Sequence, residues 1–231
     1  MGRYLYKLTD EQGNTRKNTH WDVGTKHEVR RELRICTHPL CTSSYIHAYE
    51  NPLVAVLMNP IHANFKAPIL WRAVGWVSRR EGELKCGCFS LRIIEKLPLP
   101  EISVAQRIRI GIYSALSICS EPDFVLWAKN WLAGTDRTVS AAATAANAYV
   151  ANASAASAVA YAAAYANATA AYATAAAANA SAYAAFAYAA SATAASAYAA
   201  NASAAAAAAN AVKASNLNLI KIIKRAMKEE K

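Results

Sequence analysis

The order of apolar and polar residues changes character twice along this chain. Near the start, Arg3-Tyr-Leu-Tyr-Lys-Leu-Thr-Asp10 alternates as a half-buried strand does, and Asp10–Asn14, with Gly13, has the composition of a turn. A second strand-like stretch runs from Thr19 to Val23 and ends at Gly24. Pro52 introduces the apolar run Leu53–Asn59, long enough for one or two buried helical turns and closed by Pro60. Ile69–Val77 is rich in β-branched and aromatic residues; with Ser78–Glu83 as a turn, it pairs as a hairpin with Leu84–Leu97.

After Pro98 and Pro100 the period becomes helical. Ser103-Val-Ala-Gln106 has the spacing of a capping box, in which the hydroxyl accepts the fourth residue's amide and the glutamine reaches back. Val104, Ile108, Ile112 and Leu116 follow at intervals of four, predicting an amphipathic helix to about Cys119. Pro122 and Asp123 open another helix, with Phe124, Trp127 and Trp131 on one stripe and Gly134 as its stop. These elements predict an α+β head over residues 1–137.

The second change comes at Thr138. Thr138–Val212 carries no charged residue and no Gly, Pro, His or Cys over 75 positions, and alanine dominates it. The larger side chains recur in a unit x-Ala-x-Ala-Ala, as in Asn147-Ala-Tyr149, Asn152-Ala-Ser154 and Ser157-Ala-Val159, and after a slip in phase Ser181-Ala-Tyr183, Phe186-Ala-Tyr188 and Ser191-Ala-Thr193. Alanine and the lack of breakers favour an α-helical repeat. A step of five spreads the larger residues around every face of such a helix, so it would pack only by close approach of alanine surfaces. The alternative is a pentapeptide-type β-solenoid, for which alanine at the inward position leaves a void. Residues 213–231 then form a basic amphipathic terminal helix, with Leu219, Ile220, Ile222, Ile223 and Met227 on one broad face, that caps the repeat.

Composition narrows the classes. The N-terminus lacks the apolar core of a secretory signal, and alanine studded with Asn, Ser, Thr and Tyr is a poor membrane span, so neither export nor membrane insertion is expected. Five cysteines without an export signal are expected as thiols, and the chain is placed in a host cytoplasm or virion. The excess of 25 Lys and Arg over 15 Asp and Glu favours polyanions in general, yet the basic residues are scattered between both ends, so a nonspecific nucleic-acid binder is an alternative rather than the leading reading.

Candidate chemistry is sparse. Trp21, His47, Tyr49 and His62 stand among aromatics and prolines and are the candidates for a pocket, with a histidine as a general base. No nucleophile with an orienting acid is legible beside them, so no catalytic residue is assigned and no cofactor is expected. Cys36, Cys41, Cys86 and Cys88 are candidate metal ligands, although Cys-x4-Cys and Cys-x-Cys are not the spacings of structural zinc sites. In the repeat, Tyr149, Tyr161, Tyr165, Tyr172, Tyr183, Phe186, Tyr188 and Tyr198 would supply most of the contact area for self-association.

At Asn18–Trp21, Tyr45–Tyr49, Pro52–Pro60, Ile61–Phe65, Leu70-Trp71, Gln106–Cys119 and Trp127–Arg137, the chain resembles a family of uncharacterised tailed-phage proteins that continue into an alanine-rich repeat. A looser likeness, confined to the Trp-Leu-x-Gly junction and the alanine tract, is to bacterial immunity proteins. This chain differs from both in lacking Asp, His or Arg within the repeat. The resemblance implies a phage or bacterial origin and no particular reaction. The expectation is a non-enzymatic structural, assembly or interaction protein that presents its head on the repeat. The alternative is a head that is an enzyme or nucleotide-binding module acting against host defence.

Overall fold

The computed structural model describes residues 4–117, 120, 122–137, 208–209, 211–212 and 217–229. The fold is α+β, with a sheet of five antiparallel strands and four α-helices among the described residues. The chain divides into two compact units, Met1–Ile102 and Ser103–Lys231. That division follows packing, whereas residue 137 marks the change of composition.

The spine of the first unit is a long hairpin, β6 (Ile69–Glu81) and β7 (Lys85–Leu97). The alternation of Ile69–Val77 predicts the first strand, but β6 runs four residues past Val77. Arg79, Arg80 and Glu81 pair with Gly87, Cys86 and Lys85, so their backbone groups are satisfied in the ladder, and Gly82 at φ 54 takes the turn. β1 (Leu5–Thr9) pairs with Ile69–Ala73 of β6. On the far side of β7, β4 (Lys26–Glu28) pairs with Ser90–Arg92 and β5 (Ile46–Ala48) with Cys86–Cys88. Two 2.8 Å backbone hydrogen bonds between Tyr6 and Tyr49 join β1 to the residue after β5, so the sheet closes on itself.

Two sequence expectations need correction here. The stretch Thr19–Val23 is a strand only at β3 (Thr19–His20), which pairs with β2 (Asn14–Thr15). Trp21 then leaves the ladder because its ring is drawn into the core and is 2% exposed. Helix α1 spans Pro52–His62 and passes through Pro60 instead of ending before it. Proline's φ is compatible with a helix, and its missing amide forfeits one bond near the C-terminal end. Asn64, left-handed at φ 60, makes the stop, its amide bonding back to the Asn59 carbonyl. At the other end Asn51 caps the amides of Leu53 and Val54.

In the second unit, α2 (Val104–Leu116) begins with the capping box that the sequence predicts: Gln106 N donates to Ser103 Oγ and Ser103 N to Gln106 Oε1. In α3 (Pro122–Ala133) the stripe Phe124, Trp127 and Trp131 is buried, and Gly134 at φ 76 follows. The terminal helix α4 (Leu219–Lys228) buries Leu219, Ile223 and Ala226 and packs on α2. Tyr113 of α2 donates to Glu229, and the Arg225 guanidinium lies 4.0 Å from the Tyr113 ring centroid. Of residues 138–212, only Ala208, Ala209, Ala211 and Val212 are described; they are helical and buried. The expectations of a helical or solenoid repeat fall otherwise outside the described residues.

Candidate functional site

Strand alternation gives the sheet an inner and an outer side, and the two carry different chemistry. Leu5, Trp71, Ala73, Leu91 and Ile93 point inward into one cluster with Trp21, Ala48, Cys86 and Cys88. Lys7 shares that inward parity on β1. Its ammonium donates to the His47 carbonyl at 2.7 Å and lies 5.0 Å from the Trp21 ring centroid. Burial lowers its pKa to about 8, opposed by attraction to Cys86 and Cys88. Cys86 and Cys88 flank Gly87, so both thiols face the same way. Cys86 holds its proton in a hydrogen bond to Cys88 and is pushed far above the ordinary thiol range by that bond and by burial.

The four pocket candidates fall into two pairs. Trp21 donates its indole N–H to Thr15 Oγ1 at 3.1 Å, packs edge-on against His27, and meets Lys7 through its ring. His47 reaches the same lysine through its backbone, while its Nε2 bonds to the Leu40 carbonyl; burial lowers its pKa. Tyr49 and His62 form the other pair, with 3.2 Å between the hydroxyl and Nδ1 and the rings stacked at 6.0 Å. Burial raises the Tyr49 pKa well above the ordinary phenol range. Each of these groups has a packing or hydrogen-bonding role where it stands.

The cysteine candidates are also dispersed. Cys36 is exposed, with its sulfur 3.8 Å from Ser78 Oγ. Cys41 is exposed and accepts from Lys85 Nζ at 2.9 Å, while Cys86 and Cys88 are buried. Among the described residues, no group of three or more His, Cys, Asp or Glu side chains is arranged to hold a metal ion. No helix among them is long and apolar enough to cross a membrane. The repeat aromatics Tyr149, Tyr161, Tyr165, Tyr172, Tyr183, Phe186, Tyr188 and Tyr198 lie outside the described residues.

The outer side holds the feature that packing does not explain. Trp76, in the middle of β6, is 86% exposed, while the chain's other tryptophans are all buried. Beside it in the register, Val74 lies opposite Arg92, and Arg92 lies opposite Lys26 on the next strand. Tyr4, 54% exposed, sits just before β1 with the Arg72 guanidinium 5.0 Å from its ring centroid. Arg72 also pairs with Glu95, and Lys26 and Arg34 with Glu28. At one end this side is closed: Gly87 lies beneath Leu40 and Tyr45, and Tyr45 stacks on Phe89 with 5.6 Å between centroids. Elsewhere Trp76, Arg92 and Ile94 are exposed, and Arg72, Val74, Ser90 and Glu95 are half-buried.

Sequence reasoning missed both Lys7 and Trp76. A signal for them existed in strand parity: Lys7 falls on the same side as Leu5, and Trp76 is an odd number of positions from the inward Trp71. Compared with known proteins, the chain matches no protein-family model, no curated sequence and no solved structure.

Proposed function

We propose that this is a non-enzymatic interaction protein of phage origin, in which the outer side of the sheet docks a partner and the alanine-rich repeat carries assembly. The observation that carries the docking half is Trp76. An indole left in water at mid-strand forgoes the burial that drives folding, by roughly 1.5–3 kcal/mol for a large apolar side chain. Exposed tryptophan and tyrosine beside arginine are the residues most enriched where binding energy concentrates. The inner side does not support the alternative of a catalytic head, because Lys7, Trp21, His47 and the paired thiols are engaged with one another in the core.

The resemblance to tailed-phage proteins supports the phage origin. The neutral, small-residue tract of Thr138–Val212 supports assembly through close backbone packing. Light scattering on the full chain, on Trp76→Ser and on a chain lacking 138–212 tests this division of labour. The full chain and Trp76→Ser should share a multimeric mass, and the deletion should be monomeric. A full chain and deletion that are equally monomeric would remove the assembly role.

A further inference from the structure

The outer side of the sheet combines flat π-surfaces with an excess of positive over negative charge. Lys26, Arg72 and Arg92 stand on it, and Arg30, Arg31 and Arg34 follow β4 along its rim. Against these six bases stand three acids, Glu28, Glu32 and Glu95. Glu28 and Glu95 are already engaged in ion pairs. Arg92 is exposed, has no ion pair among the described residues, and lies directly across from Lys26. Like charges in directly opposed strand positions destabilise a sheet; Glu28 offsets Lys26, which leaves Arg92 as the cation of the pair without a carboxylate among the described residues. Around these cations lie the Trp76 indole and the Tyr4 ring, the latter already stacked by Arg72. Arg72 and Trp76 are four residues apart on β6, roughly 13 Å along the strand.

We propose that this face binds single-stranded nucleic acid, with Trp76 and the Tyr4–Arg72 stack as platforms for unpaired bases and with Arg92 and Lys26 as phosphate contacts. This rests on the reading of the outer side as a docking surface and names its partner. Alternating aromatics and cations suit that ligand because every base has a π-face to stack and every linkage carries one negative charge. A protein partner would use the aromatics equally well, but only one acidic at that spot would answer Arg92, since Glu28 already answers Lys26. A duplex hides its π-faces inside the helix and presents only phosphates to a flat sheet, so it would use half of the site.

The test is a titration of the full chain with fluorescein-labelled oligothymidylate of fifteen nucleotides, read by anisotropy at several salt concentrations. The same-length duplex, heparin and an iodide-quenching measurement run alongside. Binding should weaken about tenfold or more in Trp76→Ala and return partly in Trp76→Phe, since one stacked base contributes about 1–3 kcal/mol. Arg92→Gln should lower the slope of log affinity against log salt by roughly 0.7, the share of one phosphate on a single strand. Because Trp76 is exposed, its variants should melt with the wild type, which separates lost binding from lost folding.

Equal binding of the duplex, or Trp76→Ala binding as well as wild type, would overturn the proposal and leave only nonspecific charge. Trp76 open to iodide but no oligonucleotide binding would overturn it too, while leaving the docking surface standing. Trp76 closed to iodide would remove the docking surface itself. A fall in light-scattering mass confined to Trp76→Ala would overturn it by giving the face to a second copy of the chain.

Discussion

Two tryptophans five positions apart on one strand summarise the first unit. Trp71 is 5% exposed, in contact with the inner cluster, and donates its indole N–H to the buried Thr9 hydroxyl at 2.9 Å. Trp76 is 86% exposed. The residue type and strand are the same, but Trp71 is paired with Lys96, whereas Trp76 has the opposite parity and lies at a register shift between Gly75 and Val77. An odd separation sends the two rings to opposite sides, one into packing and the other into water. The inner side, polar groups included, is a closed account of contacts. The outer side leaves Trp76 and Arg92 exposed to water, the observation behind the docking role proposed above.

The comparison can be broken most sharply by substituting both rings. Trp71→Ala should destabilise the protein by about 3–5 kcal/mol, through lost burial, a cavity and the loss of the hydrogen bond to the Thr9 hydroxyl. Trp76→Ala should change stability by less than about 0.5 kcal/mol. Chemical denaturation of both variants decides the matter, and similar losses would mean that Trp76 is a structural residue.

Lys7 sharpens the inner side. Its folded pKa of about 8 lies below the ordinary 10.5, so between those values the unfolded chain binds a proton that the folded chain has released. The contribution of Lys7 to stability therefore rises with pH across that window, by roughly 3 kcal/mol in total. Lys7→Met should lack this rise, which denaturation at pH 7.5 and 10.5 would show as a difference between the two proteins.

Gly87 marks where the outer side stops being open. A methyl there would come within 2.5 Å of Leu40 Cδ2 and 2.8 Å of the Tyr45 ring. Gly87→Ala should lower stability by about 1–3 kcal/mol, measured by thermal melting. A neutral result would show that the covering loop moves aside and that the open face is larger than described. As a reference outside the sheet, Ser103→Ala removes the cap of α2 and should cost about 1 kcal/mol.

How far the sequence carried depended on whether structure was local. The capping box at Ser103, the stripe of Phe124, Trp127 and Trp131, and the stop at Gly134 depend on residues within two turns of one another, and all three stand as predicted. Where long-range pairing decided, local reading fell short. Arg79–Glu81 have the look of a turn and become strand because Lys85–Gly87 pair with them. Pro60 has the look of a stop, yet α1 passes through it and ends two residues later at His62, with left-handed Asn64 just beyond.

The candidate site was legible only in pieces. Aromatic and histidine clustering along the chain pointed to Trp21, His47, Tyr49 and His62, but adjacency in sequence does not say which ring turns inward. Lys7 and Trp76 gave no motif, because a lysine in a strand and a tryptophan in an apolar run are unremarkable until the register is known. The neighbours that make them unusual, His47 and Arg92, come from other strands.

The central claim is that the outer side of the sheet is the docking surface proposed above, and iodide quenching of tryptophan fluorescence in the full chain tests it most directly. The other four tryptophans are 2–5% exposed, so they should resist the quencher. The account predicts one fully accessible, red-emitting component that disappears in Trp76→Phe. Quenching that is weak throughout and unchanged by that substitution would contradict it, since Trp76 would then be covered by the chain itself.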